Sequence, residues 1–320
     1  MGFSNKKIVC LGGGIGTVNL IKGLKKYTGN ITVVVSMADD GGSAGRLRRY
    51  FGVPPPGDLV SCIAALSNAD PLMRDLLTYR FLGNRYGSDR SLPGQKMGNL
   101  ILVALSSITG DFHKAVFQMQ RIFQTIGKIL PSTTDNITIW AKTSSGENVY
   151  REENIDLGRF SGKIEKLFLK PSNSTSPEEV KKAILDADLI IAGPGDFYTT
   201  ILPVLLVKDI LKALKQSKAR KMFIVNIANK TYETPNYKIC DFINSIIRHC
   251  SSKVFEYFLV NNNFSPKIPS KFKFQYEYVK PNHIANNNGI KIVQKDLINE
   301  EFPLYHSSEK LAKAVGEAIQ

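Results

Sequence analysis

The chain has 320 residues, of which 43% are hydrophobic and 22% are charged, a composition typical of globular proteins that excludes the disordered and fibrous classes. Its formal charge is +14, but the densest basic runs are short and contain no aromatic residues, so nucleic acid is not an expected partner. No run of about 18 apolar residues occurs, which argues against a membrane span, and the N-terminus lacks the pattern of a signal peptide. We therefore expect a cytoplasmic protein.

The first elements form a βαβ pattern. Residues 8–11 are an apolar run that stops at Gly12, helical spacing follows over residues 18–24, and residues 31–37 are a second apolar run. Strands joined by a helix in this way are parallel and buried on both faces.

The middle of the chain has a different pattern. Helical periodicity predicts helices over residues 59–66, 71–80, 97–108 and 112–126. Residues 137–141 and 149–155 flank a Ser- and Gly-containing turn, which predicts an antiparallel hairpin. We predict one Rossmann-like domain over residues 1–320, with a helical and hairpin insertion or subdomain at 59–160.

The second half repeats the βαβ pattern. A helix is predicted over 177–186 behind the cap Ser176, followed by strand 189–192, helix 202–214 and strand 222–227. Residues 261–270 are predicted to be a loop and 286–289 a turn, before a strand at 290–293 and a helix at 309–319. The predicted fold class is a three-layer α/β/α sandwich with a mostly parallel sheet.

The first strand ends in a glycine-rich turn. Gly12, Gly13, Gly14 and Gly16 precede Thr17 at the start of the predicted helix, where bare amides and the helix dipole favour a phosphate. The spacing fits neither the dinucleotide fingerprint nor a P-loop. The alternative is a tight turn whose glycines serve packing alone.

A second candidate segment follows the second strand at the same edge of the sheet. Its members are Asp39, Asp40, Gly41, Gly42, Ser43 and Arg46. Asp39 or Asp40 could accept a hydrogen bond from a sugar hydroxyl or hold Mg²⁺, and Arg46 could bind a phosphate. Alternatively, the segment only caps the following helix.

Further candidates come from later loops. Gly193 and Gly195 follow a buried strand and precede Tyr198 and Thr199, which offers a second set of backbone donors and hydroxyls. Asn226 ends the next strand, and Asn99 could contact a base or a sugar. The histidines (His113, His249, His283 and His306) lack metal-ligand spacing and are interpreted as surface or cap residues.

Eight blocks, in order, resemble a known family. They are residues 12–17, 38–48, 55–58, 98–105, 108–112, 130–133, 187–199 and 291–298. Together they resemble the gluconeogenesis factors, which are related to 2-phospho-L-lactate transferase of coenzyme F420 biosynthesis. The resemblance covers nearly the whole chain.

The resemblance implies a Rossmann-like fold and a cytoplasmic regulatory protein that binds UDP-sugars, such as UDP-N-acetylglucosamine or UDP-glucose. Such a protein would act in cell shape under gluconeogenic growth and would need no cofactor. The alternative is a transferase that moves a phospholactyl group from a nucleotide-activated donor with Mg²⁺. The glycine turn is also similar to that of tubulin-like GTPases, a weaker alternative. Catalysis and homo-oligomer formation are left open.

The chain departs from the gluconeogenesis factors at three places. Val60 and Ser61 replace an Arg-Asn pair, and residues 230–234 read Lys-Thr-Tyr-Glu-Thr in place of Gln-Pro-Gly-Glu-Thr. Residues 305–307 read Tyr-His-Ser in place of Arg-His-Asp. These differences bear on ligand identity more than on the fold.

Overall fold

The computed structural model describes residue 3, residues 5–281 and residues 289–319. His283 and residues 286–288 of the predicted turn lie outside these described residues. Among the described residues there are twelve strands, numbered along the chain as β1 Ile8–Gly12, β2 Ile31–Val35, β3 Lys128–Pro131, β4 Thr138–Thr143, β5 Asn148–Tyr150, β6 Ile164–Lys170, β7 Leu189–Ala192, β8 Arg220–Ile224, β9 Ala228–Lys230, β10 Tyr257–Asn261, β11 Tyr276–Tyr278 and β12 Lys291–Lys295.

The same ranges contain twelve α-helices. They are α1 Gly14–Leu24, α2 Gly42–Phe51, α3 Gly57–Leu66, α4 Pro71–Thr78, α5 Met97–Thr109, α6 Phe112–Ile122, α7 Glu152–Asp156, α8 Glu178–Leu185, α9 Leu202–Leu205, α10 Lys208–Gln216, α11 Ile239–Cys250 and α12 Ser308–Ala318. A π-helical turn, Phe197–Ile201, precedes α9, and a 3-10 turn spans Ser270–Phe272.

Seven strands form a parallel central sheet in the order β3-β2-β1-β7-β8-β10-β12. With its helices this sheet makes the predicted three-layer α/β fold. From β1 the chain first adds strands on one side and then returns to add β7 on the other. The strand order therefore reverses between β1 and β7, and such a switch point leaves a crevice at the carboxyl edge of the sheet.

The central strands are apolar because both faces of the sheet are covered. Every residue of β1 and β7 is buried. In the register of the sheet, Cys10 of β1 lies opposite Val33 of β2 and Ile191 of β7. Burial of each such aliphatic side chain contributes about 1.5–3 kcal/mol, so continuous apolar runs are stable only as inner strands.

The predicted hairpin is present, since β4 pairs antiparallel with β5, and β6 extends it to three strands. A separate ribbon is made of β9 and β11. The second predicted βαβ unit is also confirmed, with its helical part divided between α9 and α10.

Several expectations differ from the structure. Strands β3, β6 and β10 and helix α11 were absent from the sequence prediction, and residues 152–156 are helical rather than extended. Ser176 is not a cap, because α8 begins after Pro177 and the Ser176 hydroxyl has no hydrogen-bond partner. His249 and His306 are buried rather than at the surface. Among the described helices, none is long and apolar enough to cross a bilayer.

Candidate functional site

A cavity of about 490 Å³ opens at the switch point between β1 and β7. Its floor is made of the loops that follow β1, β2, β7 and β8. Its walls come from α7, the β9–β11 ribbon and residues 302–306. The volume lies in the range of small-molecule sites, and the position is where open α/β sheets bind ligands.

The glycine turn and the loop after β7 are in direct contact on the cavity floor. The Gly13 amide donates to the Thr17 hydroxyl oxygen (2.9 Å), and that hydroxyl donates to the Pro194 carbonyl (3.4 Å). A Cβ on Gly16 would lie 2.4 Å from the same carbonyl oxygen, so only glycine permits this approach. The N-cap residue Gly13 has no side chain to cap α1, the Asp58 carboxylate accepts from the Gly14 amide, and Ile15 and Gly16 border the cavity at the first turn of the helix.

Two carboxylates flank the glycine turn. Asp39 follows β2, and Asp58 lies in the first turn of α3. Burial and the charge of Asp58 raise the pKa of Asp39 to about 7, although the Gly41 amide opposes the shift. Burial likewise raises the pKa of Asp58, against the opposing effect of Lys96. The two acids destabilise each other's charge, and a divalent cation between them would relieve that repulsion.

A second acidic cluster surrounds the Lys230 ammonium group. Lys230 Nζ pairs with Asp156, lies 3.3 Å from Asp196 and lies 3.9 Å from Glu233. These carboxylates raise the pKa of Lys230 despite the opposing effect of its burial, so the lysine stays charged. Burial raises the pKa of Glu233 to about 7, and its carboxylate accepts from the Thr199 hydroxyl at 2.6 Å.

The charge of the cavity is opposite to that of the whole protein. Six carboxylates line it (Asp39, Asp58, Glu152, Glu153, Asp156 and Asp196), against the cations Arg85 and Lys230. Glu152 lies among other acids, and burial followed by the charge of Asp39 raises its pKa well above the usual range. These carboxylates would repel an anionic ligand unless a metal ion or bound protons neutralised part of their charge.

Aromatic side chains form the far wall. The rings of Phe302 and Tyr305 are stacked with centroids 4.7 Å apart, and Phe272 lies edge-on to Phe302 at 5.7 Å. Tyr276 of β11 completes the wall. In the same wall, burial lowers the pKa of His306 to about 4, so the ring is neutral, and its Nε2 lies 3.2 Å from the Val225 carbonyl oxygen.

The structure brings eight of the predicted site residues to the cavity lining. They are Gly13, Gly14, Gly16, Asp39, Gly41, Gly195, Thr199 and Asn226. They derive from four loops that are far apart in sequence. The Asn226 side chain also fixes the loop after β7, because its Oδ1 accepts from the Gly195 amide at 3.1 Å.

Several other predicted residues support the loops without lining the cavity. Asp40 accepts from the Glu153 amide (2.9 Å) and from Arg151 Nε (3.3 Å), so it fixes the start of α7. Arg46 is buried and donates to carbonyls of the 84–93 loop. The Tyr198 hydroxyl lies 2.7 Å from that of Tyr237.

The remaining predicted residues are also outside the lining. Gly12 and Gly193 lie beneath these loops, where neighbouring atoms come too close for a Cβ to fit. The Thr17 hydroxyl connects the glycine turn to the loop after β7. Gly42 has a φ of +48° and lets the Arg85 guanidinium pack against it, since a Cβ would lie 2.6 Å from Arg85 Nη2. The Ser43 hydroxyl oxygen accepts a hydrogen bond from the Arg80 guanidinium (3.0 Å). The side-chain amide of Asn99 is buried and has no hydrogen-bond partner.

Sequence reasoning missed most of the cavity wall. Glu152 and Asp156 lie in α7, far along the chain from the glycine turn, and the aromatic wall lies farther still. No local motif marks these residues. Glu233 and Thr234, in the 230–234 segment that differs from the gluconeogenesis factors, are buried, and the Glu233 carboxylate accepts from the Thr199 hydroxyl.

Taken together, the strand order and the crevice define a Rossmann-like α/β protein with a cleft at the switch point of its sheet. The family model described as 2-phospho-L-lactate transferase CofD matches residues 8–298. The chain belongs to this family.

Relatives refine the comparison and confirm the resemblance to the gluconeogenesis factors. A Bacillus subtilis protein named gluconeogenesis factor is 39% identical over 98% of this chain and 98% of its own length. A Clostridium acetobutylicum relative is 41% identical over 98% of this chain and 69% of its own. A crystal structure of a UPF0052 family protein from Bacillus halodurans has a TM-score of 0.91 at 34% identity, covering 98% of this chain and 99% of that one.

Proposed function

We propose that this protein binds a nucleotide-linked sugar, of the UDP-sugar class, in the cleft. One observation carries the proposal: the lining of a single cavity of about 490 Å³ contains both the backbone at the start of α1 and an aromatic wall. Such a shape suits a ligand with a phosphate at one end and a planar base at the other.

We assign the diphosphate to the glycine turn and the loop after β7. There Ile15 and Gly16 border the cavity, beside the Gly14 and Gly195 amides that donate to the side chains of Asp58 and Asn226. We assign the base to the face of Tyr305 or Phe302, where ring stacking needs no specific hydrogen bond. Carboxylates of α7 would accept hydrogen bonds from sugar hydroxyls.

Mg²⁺ fits Asp39 and Asp58 better than Asp39 and Asp40. Asp40 holds the Glu153 amide outside the cavity lining, whereas Asp39 and Asp58 both line the cavity beside the glycine turn and have raised pKa values. When bound, the ion would neutralise phosphate charge and bridge the ligand to the protein.

A second candidate function is group transfer from a nucleotide-activated donor, and the Asp39–Asp58 pair favours it. Those acids lie where a phosphoryl-linked group would react, and developing charge there could be stabilised by the α1 amides. The regulatory proposal needs binding alone, with an effect on cell shape during gluconeogenic growth.

Calorimetry with UDP-N-acetylglucosamine and UDP-glucose, with and without Mg²⁺, tests the binding proposal. A ligand at 100 times its Kd should stabilise the fold by about 2.7 kcal/mol. Asp39→Asn should remove the Mg²⁺ dependence. Absence of both heat and thermal stabilisation at millimolar ligand would rule out the UDP-sugar class.

Two further measurements separate the candidates. Phosphorus NMR of the same mixtures, with a hydroxyl acceptor added, would reveal transfer as a new phosphodiester signal. Complementation of a deletion strain on gluconeogenic carbon sources tests the regulatory role. A variant that binds but does not turn over, and that restores cell shape, would favour regulation.

A further inference from the structure

A second cavity lies on the other side of the glycine turn, between α1, α3 and α4. Its volume is about 690 Å³. Gly14, Ile15 and Asp58 line both this cavity and the cleft, so the start of α1 is a shared wall. We call it the α1–α4 pocket.

Three cations and two carboxylates, Asp58 and Asp75, line the α1–α4 pocket, so its lining carries a net positive charge. Of the cations, Lys22 lies in α1, Lys25 directly follows α1, and Arg74 lies in α4. Within the part of the chain that the structure describes, none of the three has an ion pair within 4.0 Å. Arg74 Nε is buried without a hydrogen-bond partner.

The three cations also affect one another. Burial, then the charges of Arg74 and Lys22, lower the pKa of Lys25. Its ammonium group donates to the carbonyls of Ala65 (3.0 Å) and Ser67 (3.3 Å), which hold it at the pocket. The three cations outnumber the two carboxylates of the lining, and an anion bound beside them would relieve the mutual repulsion of Lys22, Lys25 and Arg74.

The floor of the pocket is apolar. Ile15, Val18, Ala64 and Pro71 line it, and Ile15 is 54% exposed although it is a large aliphatic residue. A ligand with a small apolar body would cover this surface while its charged group meets the three cations.

We propose that the α1–α4 pocket is a second ligand site, which takes a phosphomonoester with a small apolar body. The combination of an apolar floor, an unpaired guanidinium nitrogen and two further cations selects this class over neutral molecules. A phosphate group matches the guanidinium fork and accepts from both ammonium groups. The proposal does not rest on nucleotide-sugar binding in the cleft.

The test uses phenyl phosphate as the probe, with inorganic phosphate and phenol as its two halves, in calorimetry on the full chain. Phenyl phosphate should bind at least about tenfold more tightly than either half. The double variant Lys22→Gln/Arg74→Gln should weaken phenyl phosphate binding about tenfold or more. Lys26→Gln/Arg121→Gln removes the same charge from exposed positions outside the pocket and should leave binding unchanged.

A steric variant and a competition experiment complete the test. Ala64→Leu fills the floor without altering charge and should also weaken the probe, with circular dichroism confirming that each variant is folded. Binding should persist when the cleft is saturated with UDP. The proposal is overturned if UDP displaces the probe while the pocket variants bind it normally, or if both charge variants weaken it equally. Failure of UDP to bind would contradict the cleft proposal and leave this result standing.

Discussion

Gly16→Ala provides the sharpest test of how the cleft is built. The added Cβ would lie 2.4 Å from the Pro194 carbonyl oxygen, 2.7 Å from its carbon and 3.1 Å from the Gly195 amide nitrogen. All three contacts are backbone atoms, so the two loops must separate by roughly 1 Å to restore van der Waals distance. Overpacking of this kind costs about 1–3 kcal/mol of stability.

The same displacement should weaken ligand binding, because it moves the amide donors of two loops relative to each other. Loss of one hydrogen bond to a charged phosphate corresponds to about 1.5–3 kcal/mol, or roughly ten- to a hundredfold in Kd. Urea denaturation measures the first effect, and calorimetry with UDP-N-acetylglucosamine measures the second.

Gly110→Ala is the matched control. Gly110 has a φ of +65° and nothing within 4 Å of an added Cβ, so the variant carries only the conformational strain, about 1–2 kcal/mol. It lies outside the cleft and should bind the ligand normally. If Gly16→Ala matches wild type in both stability and affinity, the contact between the two loops does not build the site.

Three further predictions concern charged and titratable groups. Asp40→Asn should lower stability by about 1–2 kcal/mol in urea and leave UDP-N-acetylglucosamine affinity within about twofold, because Asp40 holds the Glu153 amide rather than the cavity. Lys230→Met leaves three acids unpaired and should cost roughly 3 kcal/mol at pH 8 but less at pH 5. The direction of this pH dependence follows from Glu233, whose pKa in the folded state is about 7. At pH values between its unfolded and folded pKa, the folded state keeps a proton that the unfolded state has released, so stability falls as pH rises. His306 has a pKa of about 4 in the folded state, so its contribution to the free energy of unfolding is fully present above pH 6.5, and about 3 kcal/mol of stability is lost as the pH falls to 4. His306→Gln should flatten that part of a curve of stability against pH.

The sequence by itself determined the class of fold and two of the loops at the site. Buried parallel strands are continuous apolar runs, so 8–11, 31–37 and 189–192 could be recognised one at a time. At some positions, such as Gly16, another part of the backbone comes so close that only glycine fits. Such glycines mark where a ligand or another loop comes near. Because both turns follow parallel strands, their meeting at one edge of the sheet could be predicted as well.

Only the tertiary structure decided which neighbouring side chains face the cleft. Asp39 and Asp40 are adjacent and chemically identical, yet one lines the cavity and the other holds α7, because α7 packs against this loop from more than a hundred residues away. Glu152 is likewise brought in by α7, Lys230 by the β9–β11 ribbon, and Phe302 and Tyr305 by the segment that follows β12. No local pattern encodes such contacts, since they depend on how separately folded segments pack and on the burial and charge that each carboxylate then experiences.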